Sequence, residues 1–204
     1  SRKIQPEKEK RTWAAGTYKA TILIFAVNLI LFILSEVYGD IVYYMGASRP
    51  DLVLYDHQFY RLLTSNYLHF GWDHFYGNMV TLIILGTFLE RIMGSLSYFL
   101  LYTGSGILGS LISAFYYEAA GEIAWSAGAS GAIYGIIGGL IALLIFQRER
   151  IRRIDGRWLA FVVFGSLFHG FQSVGTDNAA HIGGCVSGFI LAVLLHVLWT
   201  GKQG

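Results

Sequence analysis

Long stretches without a single charged residue constrain this chain more than any other feature. Residues 20–35, 75–89, 92–117, 123–147, 158–176 and 178–201 carry no Asp, Glu, Lys or Arg. These lengths are near the roughly 17–25 residues that cross a bilayer core as a helix, where each backbone N–H and C=O must be satisfied within the protein. Composition agrees, with 54% hydrophobic and only 14% charged residues. An ordinary soluble domain carries about 25% charge. The chain therefore reads as all-α, a polytopic membrane protein with six transmembrane helices. The second run is short. At about 1.5 Å per residue it covers roughly 23 Å, so its outer end is expected to stop below the membrane surface.

Orientation follows from the basic residues. Of the 15 Lys and Arg, all except Arg49 and Arg61 fall on one side of a six-span layout. Basic residues mark the cytoplasmic side, so both termini are expected inside a cell membrane. The Arg148–Arg157 loop is on this reading a topology signal that meets anionic lipid, not a nucleic-acid patch. Three segments follow: 1–17 as a cytoplasmic juxtamembrane stretch, 18–200 as one six-span domain, and 201–204 as a cytoplasmic tail. The chain lacks an initiating Met and stops soon after the sixth run, as expected of a piece of a longer protein. The lone Cys185 lies within span 6, has no internal disulfide partner, and reads as a packing residue.

Residues 38–72 form a long outer connection dense in Tyr, Phe and Trp, which suits the headgroup region. An interfacial loop between spans 1 and 2 is expected. Asp51, Asp56, His57 and Asp73 match no metal-ligand spacing and read as solvated loop charges. Neither metal nor cofactor is expected.

The polar residues inside spans carry the functional argument, because such groups are expensive in hydrocarbon. His74 and Asn78 are four apart and share a helix face, with His69 just upstream. Ser130 sits between Gly128 and Gly131, with Tyr134 one turn deeper. Gly131, Gly135 and Gly139 repeat every four residues, a groove that another helix can approach. Span 6 carries His181, with Gly184 and Gly188 below it. Span 3 offers Gly104, Gly106 and Gly109 with Ser105 and Ser110, a packing face.

A serine so placed is either a helix-packing residue or a nucleophile. Spans 2, 4 and 6 run in the same direction, so His74, Ser130 and His181 should lie at similar depth on the extracytoplasmic side. That favours a nucleophile with His181 as general base. Backbone N–H groups at the start of the Ser130 helix, with His74 and Asn78, would receive an oxyanion. No carboxylate is evident beside His181, so a dyad is expected, with Tyr134 orienting the ring. His169 is the alternative base, but its span runs the other way and lacks a glycine face.

Together these motifs resemble one family. Gly128–Gly135, G-A-S-G-A-I-Y-G, is similar to the GxSGxxYG signature of rhomboid intramembrane serine proteases. Ala180–Gly188, A-H-I-G-G-C-V-S-G, resembles the family's AHxxGxxxG, and His69, His74 and Asn78 its HxxxxHxxxN. Tyr60–Arg61 and Glu90 fall where the family often has Trp–Arg and a glutamate. The resemblance implies Ser130 as nucleophile, His181 as base, and His74, Asn78 and the Ser130 N–H as oxyanion donors. It implies Tyr134 packed on His181, His69 supporting the cavity, and Arg61 and Glu90 as structural residues. It further implies single-pass transmembrane proteins as substrates, entering past span 5 as a lateral gate. The alternatives are a client-binding rhomboid-like adaptor without proteolysis and a channel or transporter. The adaptor would be expected to lack Ser130 or His181, and the transporter to show internal repeats.

Overall fold

A computed structural model describes residues 18–146, 163–165 and 176–200. Among these no strand forms. The helices are α1 (Lys19–Tyr38), α2 (Asp40–Gly46), α3 (Pro50–Leu54), α4 (Arg61–Thr64), α5 (Trp72–Met93), α6 (Ser95–Ala120), α7 (Ser130–Phe146) and α8 (Asn178–Thr200). Four of them, α1, α5, α6 and α8, are long and apolar enough to cross a membrane, and α7 is a shorter apolar helix. The molecule is an all-helical, multi-pass membrane bundle. The fifth expected span lies outside the described residues, except that 163–165 are helical.

Burial explains why α7 is apolar all round. It is buried along most of its length, with Ile136, Ile137 and Leu140 fully enclosed by Leu82, Leu85 and Leu89 of α5 and Tyr98, Leu101 and Tyr102 of α6. A helix with no solvent face needs no polar stripe. The outer helices are two-faced. In α8, Ile182, Val186, Ile190 and Leu194 recur every four residues and are exposed, the pattern of a lipid-facing stripe.

The second span is longer than its uncharged run, which corrects the expectation drawn from 75–89. It extends over Trp72–Met93, 22 residues, and includes a π turn at Leu82–Gly86. Charged residues are tolerated inside the helix because they have somewhere to go. The buried Glu90 carboxylate accepts the N–H groups of Ala20 and Thr21 (both 2.9 Å), the Thr21 hydroxyl (2.6 Å) and the Ser95 hydroxyl (2.6 Å). α1 has no side-chain cap of its own. Glu90 supplies one from another helix, satisfying orphan donors and opposing the positive dipole end. Gly94, at φ +82°, then turns the chain directly into α6.

The connection between α1 and α5 is built from short helices. Arg61 is buried and pins it, with its guanidinium donating to the Ala47 carbonyl (2.8 Å) and to Gln58 (2.7 Å). Thr64 donates to the Gly46 carbonyl (2.7 Å) and Tyr43 to that of His69 (2.6 Å). Asp51, one of the loop acids, is held by Arg49 (2.6 Å). Tyr38, Tyr44, Tyr55, Phe59, Tyr60, Phe70 and Trp72 remain exposed, as an interfacial loop requires.

The tightest contact is between α7 and α8, and glycines make it. A Cβ on Gly184 would fall on the Gly131 carbonyl oxygen, and one on Gly188 on that of Gly135. A Cβ on Gly138 would fall on the Cys185 carbonyl oxygen, with the Phe189 nitrogen 2.8 Å away. Residue numbers rise together along both helices, so the two run parallel. The expected glycine face needs one correction: the third member is Gly138, not Gly139. Seven residues at 3.6 per turn return to within about 20° of the start, whereas eight overshoot by about 80°. Gly139 instead leaves room for Leu101 and Leu89.

Candidate active site

At one end of the bundle the backbone between α6 and α7 is not helical, although it lies within the uncharged run 123–147. Ser126 pairs with Ser48 through two backbone bonds (2.9 and 2.8 Å). The Gly128 N–H then donates to the Ser65 carbonyl (2.9 Å), and the Ala129 N–H to Nε2 of His69 (3.3 Å). Ala129 is fully buried. Irregular backbone is tolerated here because neighbouring residues take up its polar groups. The helix starts at Ser130, which is half-buried.

Gly128 answers two demands. Its φ is +153°, and a Cβ there would meet the His74 ring at 2.7–2.8 Å and the Ser130 hydroxyl oxygen at 3.5 Å. The same figures place the His74 imidazole beside the approach to Ser130. His74 is half-buried and Asn78, one turn below it, is buried. Among the described residues the Asn78 Nδ2 has no hydrogen-bond partner. A buried amide donor left unpaired costs about 1–3 kcal/mol, so its presence asks for a reason.

His69 stands behind His74, ring centroids 5.2 Å apart, and is fully buried. Because Nε2 accepts the Ala129 N–H, the proton of the neutral ring resides on Nδ1. Burial, with the neighbouring His74 adding to it, pushes its pKa down to about 3. His69 is a neutral support for the chain entering α7.

His181 is buried near the start of α8, and its ring lies flat against Tyr134, with centroids 4.0 Å apart and planes 12° apart. Tyr134 is one turn below Ser130 on the same helix. Gly184 makes the approach possible, for a Cβ there would fall on the Gly131 carbonyl oxygen. Ser130, Tyr134, His181, His74, Asn78 and His69 thus gather at one end of α5, α7 and α8. His169 and the gate expected of span 5 lie outside the described residues.

One residue escaped sequence reading. A carboxylate does lie near His181, that of Asp177, one turn earlier. Its Oδ1 accepts the Ala180 N–H (2.9 Å), and its Oδ2 accepts the hydroxyls of Ser126 (2.6 Å) and Ser113. An Asp three residues before an N–H at a helix start is a legible N-cap signal, but its two serine partners come from distant sequence.

Fold and site together define a multi-pass helical membrane protein with a serine, histidines and an amide gathered at one end of its core. The Rhomboid domain family matches residues 56–198. The chain is 32% identical to Rhomboid protease GluP of Bacillus subtilis over 98% of its own length and 40% of GluP's. It is 29% identical to Putative rhomboid protease YdcA of B. subtilis, covering 67% of each chain. It is 27% identical to Rhomboid protease AarA of Providencia stuartii, over 91% of this chain and 75% of AarA. The chain belongs to the rhomboid family. It spans only about two fifths of the length of GluP.

Proposed function

We propose that this chain is an intramembrane serine endopeptidase acting on transmembrane segments of membrane proteins. The observation that carries the reading is the stacking of His181 on Tyr134, one turn below Ser130, where α7 and α8 meet through glycine. The relatives named as rhomboid proteases support it.

In the proposed reaction His181 removes the Ser130 hydroxyl proton as the oxygen attacks the scissile carbonyl carbon. The resulting oxyanion takes hydrogen bonds from the Ser130 N–H, the Asn78 amide and His74. Collapse breaks the C–N bond, His181 returns the proton to the leaving amine, and an acyl-enzyme remains. Water, deprotonated by His181, then releases the acid and restores Ser130. The Asn78 Nδ2, which has no protein acceptor among the described residues, can donate to the charge that develops there, which is where stabilisation accelerates a reaction. Arg61 and Glu90 stand outside the chemistry.

The orientation with both termini cytoplasmic and the site extracytoplasmic rests on the distribution of basic residues. Single-pass proteins are the proposed substrates, and span 5 the proposed gate. The test is cleavage of a model transmembrane substrate by purified protein in liposomes, together with fluorophosphonate labelling of Ser130. Cleavage that survives Ser130→Ala would sink the reading. A protein that binds the substrate without cutting it would instead be a client-binding adaptor.

A further inference from the structure

The Asp177 carboxylate joins three segments that border the site. Its Oδ1 caps α8 at Ala180, the residue before His181. Its Oδ2 holds Ser126, four residues before Ser130, and Ser113 of α6. Ser126 is in turn bridged to Ser48 of the connection between α1 and α5. Three segments distant in sequence thus converge on one side chain: the start of α8, the strand-like approach to α7, and the Ala120 end of α6.

We propose that Asp177 is a positioning residue, a clasp that sets His181 relative to Ser130 by joining the segments that carry them. The glycine contacts below fix how close α7 and α8 come, but smooth backbone surfaces leave sliding and rotation weakly opposed. Directional hydrogen bonds at the open end supply that restraint. The serines are needed as well as the carboxylate, because the cap to Ala180 alone orders α8 without linking it to Ser130. The proposal rests on the peptidase reading for its catalytic consequence, though not for the clasp itself.

The experiment uses three variants of the full chain: Asp177→Ala, Asp177→Asn, and the double variant Ser113→Ala/Ser126→Ala, which keeps the helix cap. Two readouts are taken, steady-state cleavage of a transmembrane substrate and NMR of the selectively labelled His181 ring. That ring, stacked on Tyr134, carries a ring-current shift whether or not the protein cleaves. Asp177→Ala and the double serine variant should lower kcat about 10- to 100-fold with KM little changed, as displacement of a reacting group by about 1 Å does. Both should move the His181 resonances. Asp177→Asn, as good a cap and still able to bond a serine, should recover most of the loss.

A double serine variant with unchanged kcat and resonances would overturn the clasp and leave Asp177 as a helix cap. Asp177→Asn as slow as Asp177→Ala would also overturn it, placing the effect in charge rather than geometry. If the parent neither cleaves nor labels at Ser130, yet the resonances move in both variants, the peptidase reading fails and the clasp stands.

Discussion

The two ends of α5 handle buried polar groups in opposite ways. At the Met93 end the Glu90 carboxylate is saturated, with both oxygens taken by donors from α1 and by Ser95. At the Trp72 end, among the described residues, the buried Asn78 Nδ2 and the nearby His69 Nδ1 have no hydrogen-bond partner. A satisfied group rigidifies what surrounds it, whereas a donor without a protein acceptor stays available to a ligand or reacting atom. Residues of similar polarity in one helix therefore serve different ends. The difference is visible in their bonding, not in their type.

That contrast can be broken by substitution. Ser130→Ala or His181→Ala should each abolish cleavage by several orders of magnitude while the thermal unfolding midpoint holds, since members of one catalytic unit fail together. Asn78→Ala should cost about 10²–10³ in kcat, as loss of one oxyanion donor does. Its unfolding midpoint should stay level or rise, because the orphaned donor goes too. A marked fall in that midpoint would make Asn78 structural and erase the contrast.

Glu90→Ala should do the reverse, lowering stability by about 1–3 kcal/mol through the donors it orphans. Specific activity of the folded fraction should be kept. Gly138→Ala should cost about 1–3 kcal/mol by overpacking against the α8 backbone. Gly139→Ala should cost less, because what it meets is the flexible end of Leu101. Equal losses would argue against the Gly131–Gly135–Gly138 face.

The smallest effect at neutral pH concerns His69, whose pKa is about 3 in the folded protein. An unfolded His titrates near 6.5, so between these values the unfolded state binds more protons. Stability should fall as pH drops below about 6.5 and keep falling toward 3. His69→Gln should flatten that decline in acid unfolding curves.

Much of this was legible in the chain. The spans were marked by missing charge, and the outer loop by its aromatics. Ser130, His74, Asn78 and His181 were singled out because a polar side chain in a lipid-spanning helix needs a reason. The second span outruns its uncharged run because absence of charge measures what lipid tolerates, and Glu90 lies in a helix while facing protein. Asp177 is hard to read from sequence for a similar reason. Its cap is local, but Ser113 and Ser126 lie 64 and 51 residues away, a pairing no local pattern encodes.

What the sequence determined by itself was the class of solvent this chain lives in and the residue types that its interior must justify. Those follow from composition and period, since lipid penalises each exposed polar group separately. Tertiary structure alone decided which glycines meet across α7 and α8, that Glu90 caps α1, and which buried donor has no protein partner among the described residues. Such choices depend on rotation and register between helices, where one residue of shift turns a side chain through about 100°. Ser130 draws its proposed role from that register, because the glycines that let two backbones touch bring Tyr134, one turn below it, against His181.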